Sequence, residues 1–181
     1  MSTSLLYHAF GIRGYDYLST AYGEGRVIFT LRQRRHTYCC SVCGARGVRP
    51  HGHQQRTFRA VPIGGRPVRV VLPIPRVACP QCGVTRQVPL NFADPRRSYT
   101  RSFERYALEL SRLMTIQDVA RHLQVSWDVI KDIHKQDLQR RFAKPKCKHL
   151  KRLAIDEIAI GAGHRYLTLV QIGRASCRER V

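Results

Sequence analysis

A chain of 181 residues holds one ordinary domain or two small ones, and 32 Lys and Arg against 12 Asp and Glu leave it at a net charge of +20. The opening Met1-Ser2-Thr3-Ser4-Leu5-Leu6 lacks the apolar run of a signal peptide, and no stretch approaches membrane-spanning length, so neither secretion nor a membrane span is expected. Seven cysteines fit a reducing cytoplasm better than a disulfide-stapled secreted fold, with Cys39, Cys147 and Cys177 as spare thiols.

Residues Tyr15 to Thr20 and Arg26 to Leu31 read as two short strands around Gly23-Glu24-Gly25, a hairpin within an N-terminal segment spanning 1–34. A module over 35–92 follows, and it carries the most specific signal in the chain. Cys40-Ser41-Val42-Cys43-Gly44 and Cys79-Pro80-Gln81-Cys82-Gly83 are two CxxCG knuckles. Two thiolates separated by two residues point into one tetrahedral site, and the glycine after the second supplies the positive φ that turns backbone amides towards sulfur. Together Cys40, Cys43, Cys79 and Cys82 make a four-cysteine zinc site, with a hairpin filling the long segment between the knuckles. Gly64-Gly65-Arg66-Pro67 is a turn in that segment and Val68 to Leu72 a strand; Pro62, Pro67, Pro73, Pro75 and Pro89 keep the region β-like or irregular. His51 and His53, between the knuckles, are read as loop or phosphate contacts in preference to metal ligands. Cys39 stands beside Cys40 but with worse spacing to Cys43.

From Gly25 to Ala93 the chain has no Asp or Glu and twelve arginines. So dense a positive field is self-repulsive unless a polyanion neutralises it, and arginine forks bidentately onto phosphate or guanine. No amphipathic helix or lipidation motif accompanies the charge, so nucleic acid is favoured over an anionic membrane. Arg56, Arg66 and Arg69 are the candidate contacts in this module.

After Asp94-Pro95 the pattern turns helical, in a segment assigned to 93–143. Phe103, Tyr106, Ala107, Leu110 and Leu113 recur at helical spacing behind Thr100 or Ser102 as N-cap. Thr115 and Asp118 form a capping box for a short helix with Ile116, Val119, Ala120 and Leu123 on its inner face. Gln124-Val125 makes a turn, and Ser126 caps a third helix running to about Phe142. This is the layout of a helix-turn-helix, apart from Gln124 where glycine is frequent. Val129, Ile130 and Ile133 face inward. Trp127, Asp128, Lys131 and Lys135 are the candidate DNA contacts; the alternative is the solvated face of a structural three-helix unit.

A basic linker from Lys144 to Arg152 leads to Leu153-Ala154-Ile155-Asp156-Glu157-Ile158-Ala159-Ile160, then Gly161-Ala162-Gly163 and a second apolar run, Tyr166 to Val170. This predicts a hairpin with a carboxylate in mid-strand, which either faces solvent or pairs with a cation or metal.

With these segments in order, the chain from Cys40 to Val170 resembles the N-terminal portion of the ISL-three family of bacterial insertion-sequence transposases. The resemblance rests on the double knuckle with Pro62-Ile63-Gly64-Gly65-Arg66-Pro67-Val68 between, on Thr115-Ile116-Gln117-Asp118-Val119-Ala120 with Val125-Ser126-Trp127, and on Ile155-Asp156-Glu157 with Gly163-His164-Arg165-Tyr166. It implies an α+β chain: a small zinc ribbon, a three-helix unit, and over 144–170 the linker and opening β-hairpin of a truncated ribonuclease-H-like domain of the DDE type. It further implies double-stranded DNA at the element's terminal repeats as partner, Asp156 as first catalytic carboxylate, magnesium in the full-length protein and a possible homo-oligomer there. Glu179 is the only acid after Glu157, so cleavage is not expected from the chain as written. Residues 171–181 resemble a non-native read-through tail. The competing reading is a non-enzymatic zinc-ribbon and helix-turn-helix regulator.

Overall fold

The computed structural model describes residues 5–144, 153–163 and 165–172. Cys147, Cys177, His164, most of the basic linker and the tail from residue 173 lie outside the described residues. Two compact units divide the chain, Met1–Gln136 and Asp137–Val181.

The first unit opens with helix α1 (Leu5–Phe10) and a hairpin, β1 (Tyr15–Gly23) and β2 (Arg26–Gln33). Glu24 and Gly25 form its two-residue turn, at φ 50° and 70°, the left-handed pair whose twist matches that of paired strands. A short 3-10 turn (Arg35–Thr37) leads to two long strands, β3 (Arg49–Ile63) and β4 (Arg66–Ala78), then β5 (Thr85–Gln87). Gly64 and Gly65 close the β3–β4 hairpin at φ 55° and 76°. The strand order is β1-β2-β4-β3, with β5 on the far end of β4. All neighbours are antiparallel except β2 and β4, which run parallel over Val27–Thr30 and Val68–Val71.

Alternation decides the buried face. Val27, Phe29 and Leu31 of β2, Phe58 and Ala60 of β3 and Val68, Val70, Leu72 and Ile74 of β4 point inward, covered by Leu6 and Phe10 of α1 and by Phe92. Phe58 meets Phe92 edge-on at 5.3 Å. Truncating so fully buried a ring to alanine costs about 3–5 kcal/mol. Prolines fall where the ladder permits them. The β2–β4 pairing stops at Thr30 and Val71; beyond it Pro73 and Pro75 have no amide to extend it. The Pro75 carbonyl instead accepts from the Val88 amide at 2.9 Å. Helix α1 had no counterpart in the sequence pattern, because six residues are too few to show a helical period.

Helices α2 (Arg101–Leu110), α3 (Ile116–Leu123) and α4 (Trp127–Phe142) follow. They enclose a second core of Phe103, Ala107, Val119, Ala120, Leu123, Ile130 and Ile133. Leu113 departs from expectation: it is 88% exposed. The amides of Arg112 and Leu113 bond the carbonyls of Glu109 and Leu110 three residues back. That tighter turn rotates Leu113 off the apolar face.

The second unit contains the antiparallel pair β6 (Leu153–Gly161) and β7 (Arg165–Ile172). Ile155, Ile158, Ile160 and Leu167 are exposed. The chain is thus a mixed α+β protein.

Candidate metal centre and nucleic-acid interface

The β3–β4 register sets Arg49 opposite Ala78, which carries the two knuckles to the same end of the ribbon. Each knuckle closes the same way. The Gly44 amide donates to the Cys40 carbonyl at 3.0 Å and that of Gly83 to Cys79 at 2.9 Å. Gly44 and Gly83 hold φ of 76° and 69°, a region costly for residues with a Cβ. The four Sγ atoms lie within 4.8 Å of one another; Cys40 and Cys82 are 3.6 Å apart, Cys43 and Cys79 3.5 Å. A zinc tetrahedron with Zn–S near 2.3 Å separates its sulfurs by roughly 3.8 Å, so the cage fits zinc with little adjustment.

Backbone amides favour the thiolate at Cys40 and Cys79, whereas at Cys43 and Cys82 the backbone bonds of Ala45 and Val84 are outweighed by burial and the neighbouring thiols, which raise the thiol. The amides of Cys43 and Val42 pull the Cys40 thiol down to about 6, and the Cys82 amide lowers that of Cys79. Cys39, half-buried, stands outside the cluster, as do His51 and His53 on β3. The site is a structural zinc centre: four sulfurs leave no open position for water or substrate.

The three helices are tied off by local chemistry. Thr100 Oγ1 accepts from the Phe103 amide at 3.1 Å, fixing it as the N-cap of α2. Thr115 Oγ1 accepts from the Asp118 amide at 3.2 Å and donates to Asp118 Oδ2 at 2.6 Å. Gln124 takes φ 51°, ψ 50°, the conformation glycine adopts most readily, and the Val125 amide reaches the Ala120 carbonyl at 3.0 Å. The tight turn therefore forms without glycine, at a cost of about 1–2 kcal/mol.

Across that turn, α4 buries Ile130 and Ile133 with Val129 half-buried. Asp128, Lys135 and Gln139 are exposed and Trp127 is 45% exposed. Lys131 Nζ bonds Asp128 Oδ1 at 2.6 Å and stands 4.7 Å from the centre of the Trp127 ring. Three of the four helix residues singled out in the sequence thus form one cluster at the start of α4, and Lys135 lies a turn further on.

Residues 36–82 match the zinc-finger of transposase IS204/IS1001/IS1096/IS1165. Residues 88–136 match the helix-turn-helix domain of transposase family ISL3. The chain belongs to the ISL3 transposase family. It is 33% identical over 174 residues to a transposase for insertion sequence element IS1001 from Bordetella parapertussis, covering 91% of this chain and 42% of that protein. It thus spans less than half the length of that curated relative. No solved structure matches it.

Within this ISL3 chain the arginines fall into two groups. Arg66 and Arg69 on β4 are exposed. Arg56 is half-buried, donates from Nη2 to the Arg97 carbonyl at 2.7 Å and lies 4.9 Å from the Phe58 ring centre. Arg59 likewise turns inward, its Nη2 donating to the Leu123 carbonyl at 2.6 Å. It is one of the twelve arginines of the acid-free stretch and not among its candidate contacts. What separates it from the exposed Arg69 across the ladder is the segment that pairs with β3 there: the Arg59 amide donates to the Ser98 carbonyl at 2.8 Å and the Arg59 carbonyl accepts from the Thr100 amide at 2.9 Å.

Asp156 sits on β6 opposite Leu169 and is exposed, with Oδ1 accepting the Glu157 amide at 2.8 Å. Among the described residues the four cysteines are the one cluster of three or more potential metal ligands. No described helix is long and apolar enough to cross a membrane.

Proposed function

We propose that this chain recognises the terminal repeats of its insertion element as double-stranded DNA, as the N-terminal part of a cytoplasmic DDE transposase. The observation that carries the reading is α4, held by the Gln124 turn against α3 with Lys131 and Lys135 on its outer side. In this reading α4 enters the major groove, where Trp127, Asp128, Lys131 and Lys135 meet base edges or backbone. Arg66 and Arg69 of the ribbon, with any part of Arg56 left free, add phosphate contacts that fix register.

The working divisions are 1–34, 35–92, 93–143 and 144–170, followed by a foreign tail. In the full-length protein, which we take to be a homo-oligomer, the β6–β7 hairpin opens a ribonuclease-H-like domain. There Asp156 is the first of three carboxylates for two magnesium ions, one activating the attacking oxygen and one stabilising the leaving oxygen. Among the described residues no other carboxylate joins Asp156 in a cluster of potential metal ligands, and in this reading the 181-residue chain binds without cutting.

Binding of the purified chain to labelled element ends, measured against salt and against a scrambled duplex, is the test. Affinity that falls steeply with salt and favours the ends supports the reading. A weak, sequence-blind interaction removes it.

A further inference from the structure

The cleft between the end of β2 and the β3–β4 ribbon has the makings of a binding site that the helix-turn-helix does not use. It exists because of the two prolines. Parallel pairing ends at Thr30 and Val71, and with no amide from Pro73 or Pro75 to continue it, β2 and β4 part. The resulting cavity has a volume of about 770 Å³, ample for a nucleotide.

Its lining is chemically mixed in a particular way. Arg32, Arg34 and Arg35 bring three positive charges, and Asp16 is the one acid in the wall. Asp16 is shared between Arg34 at 2.7 Å and Arg32 at 3.8 Å. The wall therefore keeps a surplus of positive charge, to which the exposed Arg35 contributes without an acid beside it among the described residues, with His36 and His53 also in the lining. Tyr38, half-buried, supplies an aromatic face. Gln33 occupies the last inward position of β2, is 6% exposed, and its Oε1 has no hydrogen-bond partner. An anion-binding rim, an aromatic ring and an orphaned carboxamide acceptor are three separate requirements. A bare phosphate satisfies one of them.

We propose that this cleft takes a single unstacked nucleotide of the DNA, its phosphate on Arg35 and His53, its base on Tyr38, and a base N–H reaching Gln33. The proposal rests on the DNA-binding reading above and adds a second contact remote in sequence from α4. Stacking on an aromatic side chain tolerates any base, so the cleft selects for an unpaired nucleotide, not for a sequence.

The experiment uses the 181-residue chain with two probes, a blunt duplex and the same duplex with a short single-stranded overhang carrying 2-aminopurine. Overhang binding is expected to be tighter and to quench the probe by stacking. Tyr38→Ala and Arg35→Ala are each expected to weaken overhang binding about fivefold or more and blunt binding less than about twofold, with Tyr38→Phe retaining both. Zinc content and unfolding midpoints of the variants confirm that each folds. Equal losses on the two duplexes, or quenching that survives in Tyr38→Ala, overturn the cleft. An RNA overhang preferred over DNA overturns the assignment to DNA. The two proposals fail separately. If α4 is not the duplex reader, Lys131→Ala with Lys135→Ala spares blunt binding while the overhang gain still tracks Tyr38; if the cleft is wrong, the reverse holds.

Discussion

Arg59 Nη2 donates a 2.6 Å hydrogen bond to the carbonyl of Leu123, the last residue of α3, so a strand of the sheet grips the first helix of the helix-turn-helix at its C-terminus. The cation meets the negative end of the helix dipole, where unsatisfied carbonyls collect. Burial, reinforced by Arg69 and Arg26, holds the Arg59 pKa below its usual value, yet the group stays charged at any physiological pH. Through Arg59 the ribbon and the helices are mechanically linked.

Breaking that link is expected to cost about 1.5–3 kcal/mol, the range for a hydrogen bond to a charged group. Urea unfolding of Arg59→Ala measures it. Arg59→Lys should recover only part, because a lysine lacks the planar fork. A variant as stable as the parent would mean the contact is dispensable.

The zinc centre makes a sharper prediction. Native mass spectrometry should find one zinc per chain, lost on replacing Cys79 and Cys82 with serine. Removing the metal should expose the amides of β5 and the knuckles to hydrogen exchange first, since zinc closes that end of the ribbon while Phe58, Val70 and Leu72 pack elsewhere. Protection unchanged by a chelator would contradict a structural role.

On α4, alanine at both Lys131 and Lys135 should weaken binding to element ends more than to random duplex. It should also reduce the salt slope by about two, one for each lost phosphate-neutralising charge. An unaltered slope would leave α4 as a structural helix. Loss of the Lys131–Asp128 pair contributes little to stability, because both groups are exposed.

The left-handed turn offers a gain. Gln124→Gly removes the Cβ penalty at φ 51° while adding unfolded-chain entropy, so a net stabilisation of up to about 1 kcal/mol is expected. Thermal unfolding should show a higher midpoint; a lower one would mean the glutamine side chain makes up for its backbone.

Asp156→Asn should leave DNA affinity unchanged and, in a full-length chain, abolish cleavage. The 181-residue chain itself should not nick element ends in magnesium or manganese. Metal-dependent nicking by it would place an active site elsewhere.

The knuckles, the capping threonines and the hairpin turns could be read directly from sequence, because each depends on neighbours within a few residues. Cys40 and Cys43 need only their spacing and Gly44; Thr115 needs only Asp118; Gly64-Gly65 needs only the left-handed region. Leu113 escaped because the end of a helix is set by competition between three- and four-residue hydrogen bonds, which side-chain periodicity does not register. What spacing could not convey was every relationship between distant segments. The parallel pairing of β2 with β4, the cleft that opens where Pro73 ends it, and the turning inward of Arg59 all join residues more than 35 positions apart. In a stretch of twelve arginines with no acid, sequence determined the sign of the field. Tertiary packing decided which guanidinium faces a helix carbonyl and which faces water, because burial is a property of the assembled surface and not of the residue.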